Sequence, residues 1–168
     1  MAAQFWEWTT RCRACGRPQL IPVTSFGDVA LADKLRRMPH SADPAPKVPL
    51  ELVYCEGCSL SQLSVSVSPS ILFDAEYPYY SSVSPTLSRH FEENARRIIA
   101  MYGVGRGATV IEAGSNDGCM LRHFKQAGAH VLGFDPASGP ASAAIERGVD
   151  TRIGFFGVEA AHEFGARA

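Results

Sequence analysis

The stretch Thr109-Val-Ile-Glu-Ala-Gly-Ser-Asn-Asp-Gly118 decides the fold. Its first five residues read as a short strand, and the glycine-rich turn that follows breaks it. Residues 120–127 then carry helical spacing and stop at Gly128. The alternation continues downstream: residues 130–135 predict a second strand, residues 140–147 a second helix stopped by Gly148, and residues 151–154 a weak third strand. A β-α-β-α-β order is the start of a doubly wound parallel sheet. The fold class is therefore α/β, an incomplete Rossmann-like sheet.

Upstream, residues 85–102 predict a helix. Ser84 can cap it, Pro85 suits its first turn and Gly103 ends it. Leu87, Phe91, Ala95, Ile98 and Tyr102 fall on one apolar face, with Arg89, Glu92, Glu93, Arg96 and Arg97 on the wet face. Residues 69–84 form a connector crowded with Phe73, Tyr77, Tyr79 and Tyr80. Their rings suit gluing two domains together, and the tyrosine hydroxyls are candidate hydrogen-bond donors. Three parts result: residues 1–68, the connector 69–84, and the α/β part 85–168. Within the first, residues 49–54 predict a strand and residues 59–67 another with one buried face. Between them and the N-terminus lies a middle rich in turn formers, including Pro39, Pro44, Pro46 and Pro49.

Four of the five cysteines form two C-x-x-C pairs, Cys12/Cys15 and Cys55/Cys58, while Cys119 stands alone. Each pair points two sulfurs to one side of a tight knuckle, and two knuckles supply the four thiolates of a tetrahedral zinc site. Gly16 after the first pair suits a turn of positive φ, whereas Ser59 follows the second. The 39 residues between the pairs exceed the roughly 15–20 of a compact zinc ribbon, so two knuckles bracketing an inserted loop are expected. A redox dithiol would need a helix start beside a βαβ pattern, which neither pair has. Four cysteines leave no open coordination position, so a zinc ion here is structural.

The turn after residue 113 places glycine backbone and a helix start at a strand end, the usual geometry for a nucleotide-like ligand. Asp135 ends the next strand, where an acidic side chain can accept both hydroxyls of a ribose. The turn is not G-x-G-x-x-G, and Glu112 and Asp117 would repel a pyrophosphate. They suit the cationic amino-acid end of S-adenosylmethionine. The competing reading is that Gly114 and Gly118 only let strand and helix pack closely.

The 168 residues carry 16 Lys+Arg against 17 Asp+Glu, a net charge of -1, which argues against a sequence-independent nucleic-acid binder. Residues 1–68 alone hold seven basic against six acidic side chains, too even for a basic zinc-ribbon face. With 46% hydrophobic and 20% charged residues the chain is not of disordered composition. There is no apolar run of membrane-spanning length and no signal-peptide pattern, so a cytoplasmic protein with reduced thiols and no membrane partner is expected.

Taken in order, C-R-A-C-G, C-E-G-C-S-L-S-Q-L, E-Y-P-Y-Y-S-S-V-S, V-I-E-A-G-S-N-D-G, G-F-D-P-A-S-G and the pair Phe155-Phe156 resemble the sugar C-methyltransferases of deoxysugar biosynthesis. The resemblance runs from about Cys12 to Phe156. It implies a zinc-binding domain held by Cys12, Cys15, Cys55 and Cys58, then a class I methyltransferase domain using S-adenosylmethionine. It implies a cofactor site drawn from Glu112, Gly114, Ser115, Asn116, Asp117, Gly118, Asp135 and Pro136, with Asp135 on the ribose. Tyr77 and Tyr79 are carried over as substrate or cofactor contacts near the reacting centre. The implied substrate is a nucleotide-linked 4-keto deoxysugar. Its ketone acidifies the neighbouring carbon, a base removes the proton, donors stabilise the enolate, and the carbanion takes the methyl group.

Only three strands precede Ala168, fewer than such a sheet contains. Val110 and Ile111 are then expected on an unpaired apolar edge, to be completed by more of the same enzyme or by a second polypeptide. The chain alone is expected to bind cofactor weakly and not to turn over. The alternative is a zinc-containing interaction module or truncated remnant without catalysis.

Overall fold

The computed structural model describes residues 5–35 and 46–165. The proline-rich expectation at Pro39 and Pro44 lies outside the described residues. The chain divides into two compact units, Met1–Leu72 and Phe73–Ala168.

The first unit runs β1 (Trp6–Trp8), β2 (Leu20–Ala30), β3 (Lys47–Cys55), β4 (Ser61–Leu63), β5 (Val65–Val67) and a one-turn helix α1 (Pro69–Leu72). β2, β3 and β4 make one antiparallel sheet in that order, and β1 pairs antiparallel with β5. The region between the knuckles is therefore not simply a loop: it contains a long β2–β3 pairing, from Leu20 opposite Cys55 to Ala30 opposite Lys47. β2 lacks clean alternation because two register shifts, at Pro22/Thr24 and Ser25/Asp28, interrupt it. Its place at the sheet edge tolerates Pro22, whose missing N–H costs no ladder bond there.

The single strand expected over residues 59–67 is two strands. The chain changes sheets at Ser64, whose N–H donates to Glu51 O at 3.0 Å while its carbonyl accepts from Thr9 N at 2.7 Å. The expected buried face also shifts: Gln62 is buried and Leu63 is 45% exposed. Gln62 is held inside because its Oε1 accepts from Arg13 N at 3.0 Å. Arg13 reaches on from the first knuckle to Leu63 O, Val65 O and Ser66 Oγ, tying that knuckle to β4 and β5.

The second unit runs through a 3₁₀ turn (Ser81–Val83), α2 (Pro85–Tyr102), β6 (Thr109–Ala113), α3 (Leu121–Gln126), β7 (His130–Asp135), α4 (Ser138–Glu146), β8 (Thr151–Ile153) and α5 (Val158–Gly165). The caps of α2 are those its sequence calls for. Ser84 Oγ accepts from Leu87 N at 3.2 Å, and Gly103 closes the helix at φ 65°. Ala95 of α2 is fully buried with Leu121, Phe124, Ala129, Val131, Ala144 and Val149. Tyr102, expected on the apolar face, is 72% exposed because it lies in the last turn, past that core.

β6, β7 and β8 are parallel, in that order, which makes a partial Rossmann-like sheet. β6 is an outer strand, with Ile111 38% exposed. Among the described residues no helix is long and apolar enough to cross a membrane.

Candidate functional site

Two sites emerge, one in each unit. In the first, all four sulfurs of Cys12, Cys15, Cys55 and Cys58 lie within 4.8 Å of one another. Cys12 and Cys55 are buried, and Cys15 and Cys58 face out. The two knuckles share one backbone plan. Gly16 N donates to Cys12 O at 2.9 Å and Ser59 N to Cys55 O at 2.8 Å. Cys12 N and Cys55 N in turn donate to Arg17 O and Leu60 O. Ser59, the residue that stands where glycine was expected, takes the same left-handed turn at φ 62° that Gly16 takes at 72°.

The amides of these turns point at sulfur. The Cys15 amide lowers the Cys12 thiol to about 6, against opposition from burial and with help from the Ala14 amide. The Leu60 amide also pulls Cys58 down, but the Cys12 sulfur and burial outweigh it and hold its proton up to about 12. Four crowded sulfurs cannot all ionise unaided. A divalent soft cation relieves that repulsion, and the donor set with its close spacing fits tetrahedral Zn2+.

In the second unit β6 and β7 both end at a cleft of about 460 Å³. Its rings are Phe73, Tyr77, Tyr79, Phe134, Phe155 and Phe156, and Ser81, Ala113, Gly114, Asn116, Asp135 and Pro136 complete the lining. The aromatics touch one another: Phe134 and Phe156 meet edge to face with centroids 5.1 Å apart, and Phe73 and Tyr77 are tilted at 5.4 Å. Asp135 is locked by two backbone donors, Asn116 N to Oδ2 at 2.8 Å and Ala137 N to Oδ1 at 2.9 Å. Each oxygen keeps acceptor capacity beyond the amide it holds. None of the lining residues is basic, so the cleft suits a ligand without phosphate. A nucleoside carrying a sulfonium fits that chemistry: acceptors for its hydroxyls, ring faces for a base and a cation.

Of the residues singled out in the sequence, Tyr77, Tyr79, Gly114, Asn116, Asp135 and Pro136 come together at this cleft. Glu112, Ser115, Asp117 and Gly118 do not line it. Ser115 and Gly118 lie buried in the turn beneath. Asp117 turns away to Ser82 and Arg147. Glu112 faces a groove along β6 with Val110, Met120 and Leu121. Burial, then the charge of Asp135, raises the Glu112 carboxyl to about 7, and its Oε2 is buried without a hydrogen-bond partner.

The sequence reading missed Gly133 and Arg147. A Cβ on Gly133 would stand 2.4 Å from Ser115 Oγ and 3.1 Å from Leu121, so the glycine lets the turn settle on β7. A glycine inside a strand pattern was the available signal. Arg147 had none: nothing in a helix-ending arginine announces its partner 30 residues earlier.

These observations define a class, a four-cysteine zinc-binding unit followed by a partial Rossmann-like α/β unit with an aromatic ligand cleft. Residues 12–73 match the family described as "Putative zinc binding domain". The chain is also 35% identical over 156 residues to the C-methyltransferase NovU of Streptomyces niveus. That match covers 93% of this chain and 37% of that protein, so the chain spans little more than a third of the length of the curated relative it matches. Over most of its length the chain is thus similar to the N-terminal third or so of a C-methyltransferase, and residues 12–73 are similar to a "Putative zinc binding domain".

Proposed function

We propose that this chain is the N-terminal portion of an S-adenosylmethionine-dependent C-methyltransferase acting on a nucleotide-linked keto-deoxysugar. The observation that carries the reading is the cleft at the ends of β6 and β7, aromatic, without basic lining, and closed at one side by an oriented Asp135. The relationship to a named C-methyltransferase supports the reaction class.

In this reading Cys12, Cys15, Cys55 and Cys58 hold a structural Zn2+ that shapes the first unit. Asp135 accepts from the ribose hydroxyls. Gly114 and Asn116 border the amino-acid end, and the rings around the cleft exclude water. Bound S-adenosylmethionine would supply an electrophilic methyl group. Tyr77 and Tyr79 present hydroxyl donors that can stabilise an enolate next to it. The alternative, a zinc-containing interaction module without turnover, draws support from one feature, the outer position of β6 with Ile111 exposed.

Titration calorimetry with S-adenosylmethionine, with zinc quantified on the same sample, tests both. Binding with one zinc per chain is expected for the methyltransferase reading. Zinc present with no heat of binding would favour the interaction module.

A further inference from the structure

The segment that carries Tyr77 and Tyr79 has little regular structure of its own, yet it is held at several points. Asn116 grips it with both ends of its amide: Oδ1 accepts from Ser81 N at 2.8 Å, and Nδ2 donates to Tyr79 O at 3.1 Å. Asp117 is the next tie. Its Oδ2 accepts from Ser82 N at 3.2 Å and from Ser82 Oγ. This carboxylate is fully buried, and its Oδ1 has no partner. One cation compensates it. Arg147, just past α4, places Nη1 2.8 Å from Asp117 Oδ2 and 3.1 Å from Ser82 Oγ. The guanidinium is half exposed and does not line the cleft.

We propose that Arg147, acting through Asp117, is a positioning residue: with Asn116 it latches residues 77–82 in place as one wall of the ligand cleft. The physical chain is short. A buried carboxylate keeps its charge only while a partner faces it, and removing that partner strands the charge. Asp117 is then drawn outward toward water, and that movement weakens its acceptance from Ser82. A freed segment has to be ordered again when ligand binds, which costs conformational entropy and therefore affinity. The affinity part rests on the reading of the cleft as a nucleoside-sulfonium site; the latch itself does not.

The test is hydrogen exchange of the zinc-loaded chain without ligand, beside calorimetric titration with S-adenosylhomocysteine. Arg147→Ala is expected to speed exchange in residues 77–83 about tenfold while β7 stays within about twofold of the parent. Affinity should fall by a comparable factor, and Arg147→Lys should recover most of both, because an ammonium still supplies the charge. Unchanged exchange in residues 77–83 overturns the latch. Should Arg147→Ala loosen the whole unit, Ser82→Ala decides, since it removes one tie and strands no charge. A local rise in that variant upholds the latch, and no rise overturns it. If the parent chain ignores S-adenosylhomocysteine while exchange responds as expected, the cleft reading fails and the latch stands.

Discussion

Ser59 and Gly16 occupy equivalent turns with different side chains, so they give a controlled measure of what the left-handed conformation costs. A Cβ at Gly16 would meet nothing within 4 Å, and only the backbone preference opposes it. Gly16→Ala is expected to destabilise the zinc-loaded protein by about 1 kcal/mol, and Ser59→Gly to stabilise it by somewhat less than about 1 kcal/mol. The second value is trimmed by the lost Tyr54–Ser59 hydrogen bond. Thermal melts of the two variants check both signs. Glu112 is a different kind of residue, a carboxyl whose proton is favoured by folding. Its folded value of about 7 lies above the usual carboxylate range, because burial and then Asp135 oppose its charge. The folded state therefore binds more protons than the unfolded state between those values, and stability falls as pH rises through that window. Its contribution is roughly 2–3 kcal/mol across the window. Glu112→Gln should flatten this decline: melting curves near pH 5 should change little, and those near pH 8 should move up.

Among the elements, β7 shows how a strand governs a loop it does not contain. Gly133 lets Ser115 lie directly on the strand, and Asp135 two residues later fixes the same turn through Asn116 N. Gly133→Ala should cost about 1–3 kcal/mol by pushing Ser115 away, and adding Ser115→Gly should restore most of it. Chemical denaturation of the single and double variants tests that coupling. The three strands and α2, α3 and α4 were readable in the sequence, because punctuation frames those helices: Ser84 and Gly103, Gly128, Gly148; α5, without such a frame, was not. The strand over residues 59–67 was misread because alternation cannot reveal a change of sheet. Ser64 makes that change through backbone groups alone. β2 stayed hidden for a related reason: its bulges break the two-residue period that marks a strand. At the cleft, chemistry-bearing residues were legible and orientation was not. Glu112 and Asp117 stand in the turn motif, but only packing decides that they face away from the cleft.

At the scale of the whole molecule, two units with separate cores predict separable unfolding. The first unit has few buried apolar side chains around its knuckles, so its fold leans on the metal. Chelation under reducing conditions should abolish the melting transition of the first unit and leave that of the second within a few degrees. Differential scanning calorimetry with and without chelator reads both transitions, and loss of both together would contradict independent units.

The pairing of the sulfurs bears on how the protein ages in air. The two hydrogen-bonded sulfur pairs, Cys12 with Cys58 at 3.5 Å and Cys15 with Cys55 at 3.6 Å, each join one knuckle to the other. Cys12 is also primed to attack, its thiol being held near 6 chiefly by the Cys15 amide. An oxidant that attacks the sulfurs while the unit is still folded, and so displaces the ion, should therefore stitch across the knuckles rather than within either C-x-x-C. Non-reducing peptide maps should recover Cys12 linked to Cys58 and Cys15 linked to Cys55. Such bonds close long loops and would substitute for the lost ion. Oxidised from its folded state, the first unit would harden into a covalent copy of its metal-bound form, and a reductant would undo it.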